Sequence, residues 1–367
     1  MGRPGIVFPV IPETAHTQLP RVGILLCNTG TPSAPTAQAL RPYLRQFLSD
    51  RRIIEWSRWF WWPLLHGIIL NTRPARSARL YQRIWTPEGS PLLKLMKEQA
   101  EGIRGRVHVH TSLDIPVVLG MRYGEPSIAT GLRQLREQGV RRILVFPLFP
   151  QYSATTTASM FDAVFDELKQ WRWLPEIRTI AHYHDHPAYI AALADSIRTT
   201  WADKGQPEQL LFSFHGIPQS YFLKGDPYYC ECQKTGRLVA ENLGLAEGQW
   251  QVIFQSRFGP EEWLKPYTDV TLADLGQKKL DSLQVLCPGF SADCLETVDE
   301  IDHEGRKTYT EAGGRNFHYI PALNAQPAHL DFLTDMALTH LQGWLDQPSF
   351  IPPDPTHIST RRQQLGV

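Results

Sequence analysis

Two similar α/β lobes, each a parallel β-sheet flanked by helices and facing its twin across a cleft, are the fold that the sequence predicts, and three observations predict it. The chain has 367 residues, more than one ordinary domain, which suggests two. Short apolar runs punctuated by glycine and proline alternate with helix-like stretches such as IATGLRQLREQG and PEEWLKPYTDVTLADLGQ. That alternation argues for parallel strands covered on both faces. The third observation is that the chain matches itself. RVGILLCNTGTP from Arg21 resembles QLLFSFHGIP from Gln209, and VVLGMRYGEP from Val117 resembles WQVIFQSRFGPE from Trp250. RRILVFPLFPQYSATTT from Arg141 aligns with SLQVLCPGFSADCLET from Ser282, and TIAHYHDHPAYIAALADSI from Thr179 with YIPALNAQPAHLDFLTDMA from Tyr319. Pro147 then falls against Pro288 and Pro187 against Pro327, so an ordered duplication explains the matches better than the vague likeness of any two α/β halves.

Taken in order, residues 1–20 lack a basic stretch followed by a long apolar core, so no secretory signal is expected and the segment reads as a loose arm. Residues 21–190 form a first Rossmann-like lobe and residues 191–342 a second. Residues 343–367 are Pro-rich and polar, with too little apolar side chain to build core, and read as a tail. Within the first lobe, residues 53–70 (IIEWSRWFWWPLLHGIIL) hold four of the eleven tryptophans. Glu55, Arg58, Pro63, His66 and Gly67 interrupt the run, which disfavours a membrane span. A buried core helix is one alternative. The preferred reading is an exposed aromatic lip at a membrane surface, with Arg58, Arg73, Arg76 and Arg79 meeting anionic headgroups.

Totals of 37 basic and 37 acidic residues give no positive excess, which argues against nucleic acid as a partner. The five cysteines, Cys27, Cys230, Cys232, Cys287 and Cys294, are odd in number and read as reduced thiols of a cytoplasmic protein. Cys230 and Cys232 make a bare C-x-C, weak evidence for metal.

The stretch LFSFHGIPQSYFLKGDPYYCECQKT, from Leu211 to Thr235, carries the clearest chemical signal. Leu211–Phe214 is a short apolar strand, and the breakers that follow leave His215 at its carboxyl end, the edge where open α/β sheets bind ligands. An imidazole there suits proton transfer or metal ligation. Downstream, a helix after Ser291 would set Asp293, Glu296 and Glu300 at i, i+3 and i+7, an acidic stripe able to relay protons or guide a cation.

FSFHGIP with GDPY, and CPGFSADCLETVDEI from Cys287 to Ile301, resemble the signature blocks of ferrochelatases, and the likeness extends from about Val22 to Gln342. The resemblance implies a two-lobed chelatase-like fold and insertion of ferrous iron into protoporphyrin IX, the last step of haem synthesis. Iron is then a substrate, and no permanently bound cofactor is expected. It implies His215 and Glu296 as catalytic and metal-contacting residues, with Asp293 and Glu300 on a possible proton or iron path. Arg83 in YQRIWTPEGSP occupies the position of a propionate-contacting arginine, Ser90 follows in that motif, and Arg122 and Tyr123 in GMRYGEP match a pair placed in the pocket. The lip matches a wall of the active-site mouth linked to substrate entry and membrane contact.

Metal insertion requires loss of two pyrrole protons. His215 suits the role of proton acceptor and equally that of first ligand to Fe²⁺. Where some ferrochelatases place a cluster-binding cysteine, this chain has QYSATTT with Ala154, and no cysteine follows Cys294, so no [2Fe-2S] cluster is expected. Thr29 stands where the coproporphyrin-using branch has a tyrosine, which points to protoporphyrin IX. A cobalt or nickel chelatase for corrin-type tetrapyrroles is disfavoured by the apolar lip. A two-lobed haem-binding protein without catalysis is the rival from another class.

Overall fold

The computed structural model describes residues 20–345; the N-terminal arm before residue 20 and the tail after 345 lie outside the described residues. The first sheet comprises β1 (Arg21–Gly30), β2 (Val117–Tyr123), β3 (Val140–Pro147) and β4 (Glu176–Thr179) in the order β2-β1-β3-β4, all parallel. The second comprises β5 (Gln209–His215), β6 (Trp250–Gln255), β7 (Ser282–Leu286) and β8 (Asn316–Ile320) in the order β6-β5-β7-β8, again parallel. The two orders are superimposable, as the internal matches predict. Ile24, Leu25, Leu26 and Cys27 on β1 and Leu211, Phe212 and Phe214 on β5 are buried on both faces, the pattern of a strand covered by helices on either side.

In each sheet the chain leaves the central strand for one side and returns on the other, creating a switch point between β1 and β3 and another between β5 and β7. Crevices open at the carboxyl ends of the strands there. The excursion between β1 and β2 is much the longer. It holds α1 (Ala37–Ser49), α2 (Arg58–Leu64), a π-turn (Leu65–Ile69), α3 (Leu70–Ile84) and α4 (Pro91–Thr111). Leu40, Leu44, Leu48, Ile54, Trp61, Leu65 and Tyr81 form a satellite core under α1–α3, closed from the second half by Phe258, Leu295 and Val298.

The remaining helices of the first half are α5 (Ile128–Glu137), a π-helix (Ala154–Ala158) and α6 (Ser159–Leu168), with α7 (Pro187–Lys204) after β4. In the second half come α8 (Gln219–Leu223), α9 (Tyr228–Leu243), α10 (Thr268–Gln277), the single turn α11 (Leu295–Thr297), a π-helix (Val298–Gly305), α12 (Arg306–Glu311) and α13 (Pro327–Leu341). The expected lobe boundary after residue 190 falls inside α7. That helix packs on α9 and touches β8 of the second half, whereas α13 packs on α4 and β3 of the first. Arg106 on α4 pairs with Asp331 on α13 at 2.6 Å, and Gln99 donates across the halves to the carbonyls of Ser291 and Asn324 at 2.9 and 3.0 Å. The halves thus exchange their last helices, and one hydrophobic core runs through both.

The aromatic segment divides between two of its expected environments. Trp61 is 4% exposed and donates its indole N–H to the Leu48 carbonyl at 2.7 Å, while Trp59 is 93% exposed, with Phe60, Trp62 and Ile68 also outward. One face of α2 is core and the other is a lip. Among the described residues no helix is long and apolar enough to cross a membrane.

Candidate active site

A cavity of about 560 Å³ lies between the two switch points. Asn28 and Thr29 from the end of β1, Phe149 and Gln151 after β3, His215 from β5 and Gly289–Ala292 after β7 line it. The connection from α1 to α2 supplies Ile54 and Trp56, and the satellite helices add Trp61, Leu64 and Ile69, so this part of the wall is apolar.

His215 is the last residue of β5, and its Nδ1 lies 2.7 Å from the Gly216 carbonyl oxygen. A carbonyl only accepts, so Nδ1 carries a proton, and in the neutral imidazole Nε2 is the nitrogen that keeps its lone pair. Gly216 is small because it must be: an added Cβ would lie 3.0 Å from the Gln255 carbonyl oxygen and 3.1 Å from the Trp263 ring. Glu296, in the short turn α11, lines the same cavity. Tyr43 and Tyr81 stand close enough to Glu296 to feel its charge: burial and then Glu296 push the Tyr43 phenol up, and burial, Tyr43 and then Glu296 push up that of Tyr81.

Glu300 lies one turn on, inside the π-helix, a distortion frequent at functional sites. Its carboxylate accepts the Ser256 N–H at 2.7 Å and the Ser256 hydroxyl, and Gln255 bridges from the Glu296 carbonyl at 2.7 Å to Glu300 at 3.3 Å. Burial pushes the Glu300 carboxyl above its ordinary range, and Glu296 adds to it; the Ser256 bonds and His215 offset this only in part. His215 and Glu296 therefore line one cavity, and the Glu300 carboxylate lies behind them, outside its lining but close enough to interact with both.

Asp293 does not join them. It precedes the turn rather than riding on it, and the π-helix breaks the 3.6-residue period on which the acidic stripe depends. Its buried carboxylate accepts Tyr319 at 2.6 Å, Asn324 at 2.7 Å and Thr297 at 2.9 Å, bracing the turn against the end of β8.

The other sequence-predicted residues separate in the same way. Thr29 lines the cavity, as does Tyr123. Arg122 does not, because its guanidinium is held by Asp50 at 2.6 Å and Ser159 at 2.6 Å, and the Tyr123 hydroxyl donates to the same Asp50 at 2.8 Å. Arg83 points away to Asp299 at 3.2 Å and to Glu304, and Ser90 is buried at the head of α4 against Thr31 at 2.8 Å. The guanidinium that does line the cavity belongs to Arg73, assigned from sequence to the lip. It lies 5.6 Å from the Phe258 ring centroid, and burial together with Arg76 pushes its pKa down. Four residues apart on α3, Arg73 and Ser77 share the helix face that lines the cavity.

Two parallel sheets with a shared cavity at their carboxyl ends define the two-lobed α/β chelatase fold. SirB from Bacillus subtilis, solved with Fe³⁺, has this fold: the TM-score is 0.51 at 12% identity, covering 90% of this chain and 99% of SirB. The family model for ferrochelatase matches residues 21–341. The ferrochelatase of Thioalkalivibrio sulfidiphilus is 54% identical over 94% of this chain and 92% of its own length, and that of Hydrogenovibrio crunogenus is 54% identical over 91% and 90%. The chain belongs to the ferrochelatase family, metal chelatases of the lyase class that carry out the terminal step of haem synthesis.

Proposed function

We propose that this chain inserts ferrous iron into protoporphyrin IX, with His215 and Glu296 acting on the porphyrin core and the ion. The observation that carries the reading is that His215 and Glu296 line the same largely apolar cavity, with the Glu300 carboxylate just behind them. In the neutral imidazole Nε2 accepts the two pyrrole protons in turn, passing the first on before it takes the second. The nearby carboxylates compensate the imidazolium that forms, and Glu300, already inclined to hold a proton, receives it onward. Glu296 supplies an anionic oxygen where the divalent ion arrives. The apolar wall of Ile54, Trp61 and Leu64 takes the vinyl-bearing face of the ring, and the short Thr29 side chain leaves room beside it.

For the propionates the reading favours Arg73, since a guanidinium grips a carboxylate through paired hydrogen bonds. Arg83 would reach a propionate only after release from Asp299 and Glu304. Arg122 and Tyr123 hold the cavity wall through Asp50. The exposed Trp59 and Phe60 support peripheral contact with a membrane surface on the cytoplasmic side. No resident iron–sulfur cluster belongs to the proposal: Cys27, Cys232, Cys287 and Cys294 are buried, Cys230 is exposed, and Ala154 occupies the motif position where other members have cysteine.

The test is anaerobic addition of Fe²⁺ and porphyrin, followed by the visible absorption bands. Multiple turnovers are expected with protoporphyrin IX, and they are expected to vanish in folded His215→Ala. A spectral change that stops at one equivalent would make the chain a binder, and higher catalytic efficiency with coproporphyrin III would overturn the choice of porphyrin.

A further inference from the structure

The segment between β4 and α7 reads His182-Tyr183-His184-Asp185-His186. In extended chain, alternate residues face the same way. Tyr183 turns into the core against Phe146, Tyr189 and Phe332, so His182 and His184 turn together to the other side. There they meet Glu231 on the first turn of α9. The His182 Nδ1 lies 2.7 Å from Glu231 Oε1 and the His184 Nδ1 lies 3.2 Å from Oε2. Among the described residues this is the one group of three His, Cys, Asp or Glu whose ligand atoms all fall within 4.8 Å of one another. None of the three lines the cavity.

We propose that His182, His184 and Glu231 bind a divalent first-row transition ion such as Zn²⁺, Co²⁺ or Fe²⁺. Two imidazoles and a carboxylate suit these ions rather than Mg²⁺ or Ca²⁺, and three protein ligands leave a coordination position open to water. Bonds of about 2.0–2.2 Å to one centre place donor atoms roughly 3–3.5 Å apart, and the two nitrogen–oxygen separations are already close to that. The His184 side chain is 9% exposed, and its buried Nδ1 faces Glu231 Oε2 at 3.2 Å without a well-directed hydrogen bond. His182 is half exposed, which gives an ion a way in.

The Glu231 carboxylate is held in place from the other side by the Tyr152 N–H at 2.7 Å. Lys234, one turn further along α9, pairs with Asp185 at 2.5 Å. The site also abuts the catalytic cavity. Tyr152 N–H fixes Glu231, the neighbouring Gln151 lines the cavity, and Gln151 bonds to Thr235, whose hydroxyl caps the His184 carbonyl.

Tag-free full-length protein carrying His215→Ala, which removes the imidazole of the cavity, is titrated with Co²⁺ alone and read by its d–d absorption and by equilibrium dialysis. One ion per chain is expected. Adding His182→Ala, a half-exposed position whose loss leaves the fold intact, is expected to weaken binding by roughly 100-fold or more, since even outer-shell partners of a metal ligand are worth 10–100-fold. Zn²⁺ should raise the thermal midpoint of the parent and leave the double variant unmoved. No bound ion in His215→Ala, or binding indifferent to His182→Ala, overturns the site. Neither readout uses porphyrin turnover, so the outcome is independent of the proposed activity.

Discussion

Asp50 is where a single substitution should separate a structural arginine from a substrate-binding one. Its carboxylate sits just past α1, buried, and accepts hydrogen bonds from Arg122 Nη2 at 2.6 Å, Tyr123 at 2.8 Å, the Ser159 hydroxyl and the Arg52 N–H at 2.7 Å. Asp50→Asn keeps one oxygen for the Arg52 N–H and turns an NH₂ toward three donors. The Arg122 guanidinium is then left without its counter-charge. Removing one partner of a buried pair costs about 3–5 kcal/mol. The Arg122 side chain retains 23% exposure, so water recovers part of that and the low end, about 3 kcal/mol, is expected. Burial raises the Asp50 carboxyl, but Ser159, Arg122 and the remaining donors outweigh it and the net shift is downward from 3.8. A depressed acid contributes its stability above the unfolded value and loses it as the pH falls through the folded one. The deficit of the variant should therefore be full at pH 7 and shrink below about pH 3.8. Urea unfolding of both proteins across pH 3–7 measures it. A deficit under about 1 kcal/mol at pH 7, or one that does not change with acid, would refute the reasoning and return Arg122 to the pool of substrate ligands.

Arg73→Ala is expected to raise the Michaelis constant for protoporphyrin roughly 10- to 100-fold at nearly constant kcat, the worth of one charge-assisted contact at about 1.5–3 kcal/mol; Arg83→Ala measured in parallel decides which arginine meets the propionate. Glu300→Gln mimics the protonated acid at every pH. Because the folded pKa of Glu300 is raised, its contribution is complete below about 4.5 and is lost as the pH rises through the folded value. The variant should match the wild type in acid and exceed it in stability near neutrality, and a pH-independent difference in urea midpoints would count against this. Trp59→Ser with Trp62→Ser should weaken sedimentation with anionic liposomes by roughly 100-fold or more, given about 1.5–3 kcal/mol for burying each large apolar side chain; unchanged sedimentation would leave the lip a solvent-facing edge.

The sheets were legible because a parallel strand buried on both faces leaves a nearly continuous apolar run, and because the second half repeats the wording of the first. His215 was legible for the same reason: the glycine and proline after Phe214 mark where β5 stops. What the sequence concealed depends on contacts between distant segments. Nothing local to Pro187–Lys204 says that α7 packs on the other half. Nothing local to Arg83 says that Asp299 and Glu304 occupy it. The acidic stripe failed because helical period was assumed where the chain adopts a π-helix, so Asp293 became a brace and only Glu296 and Glu300 approach His215. The lip was half legible, since composition marks the segment as apolar but cannot assign each tryptophan to a face.

The exchange of α7 and α13 bears on how such a chain could have arisen. A half-length ancestor, one sheet followed by its last helix, would have carried an apolar helix face with nothing of its own to cover. Two copies related by a two-fold axis would each lend that helix to the other, a reciprocal swap that closes on itself and leaves no open surface for further growth. Joining them end to end turns a concentration-dependent encounter into an intramolecular one. It also frees the two crevices to diverge, so that one keeps a histidine at the strand end where the other has a threonine beside a greasy wall. The asymmetry that a flat, two-faced ligand demands is available only after that fusion, because a symmetric dimer must present the same groups from both sides.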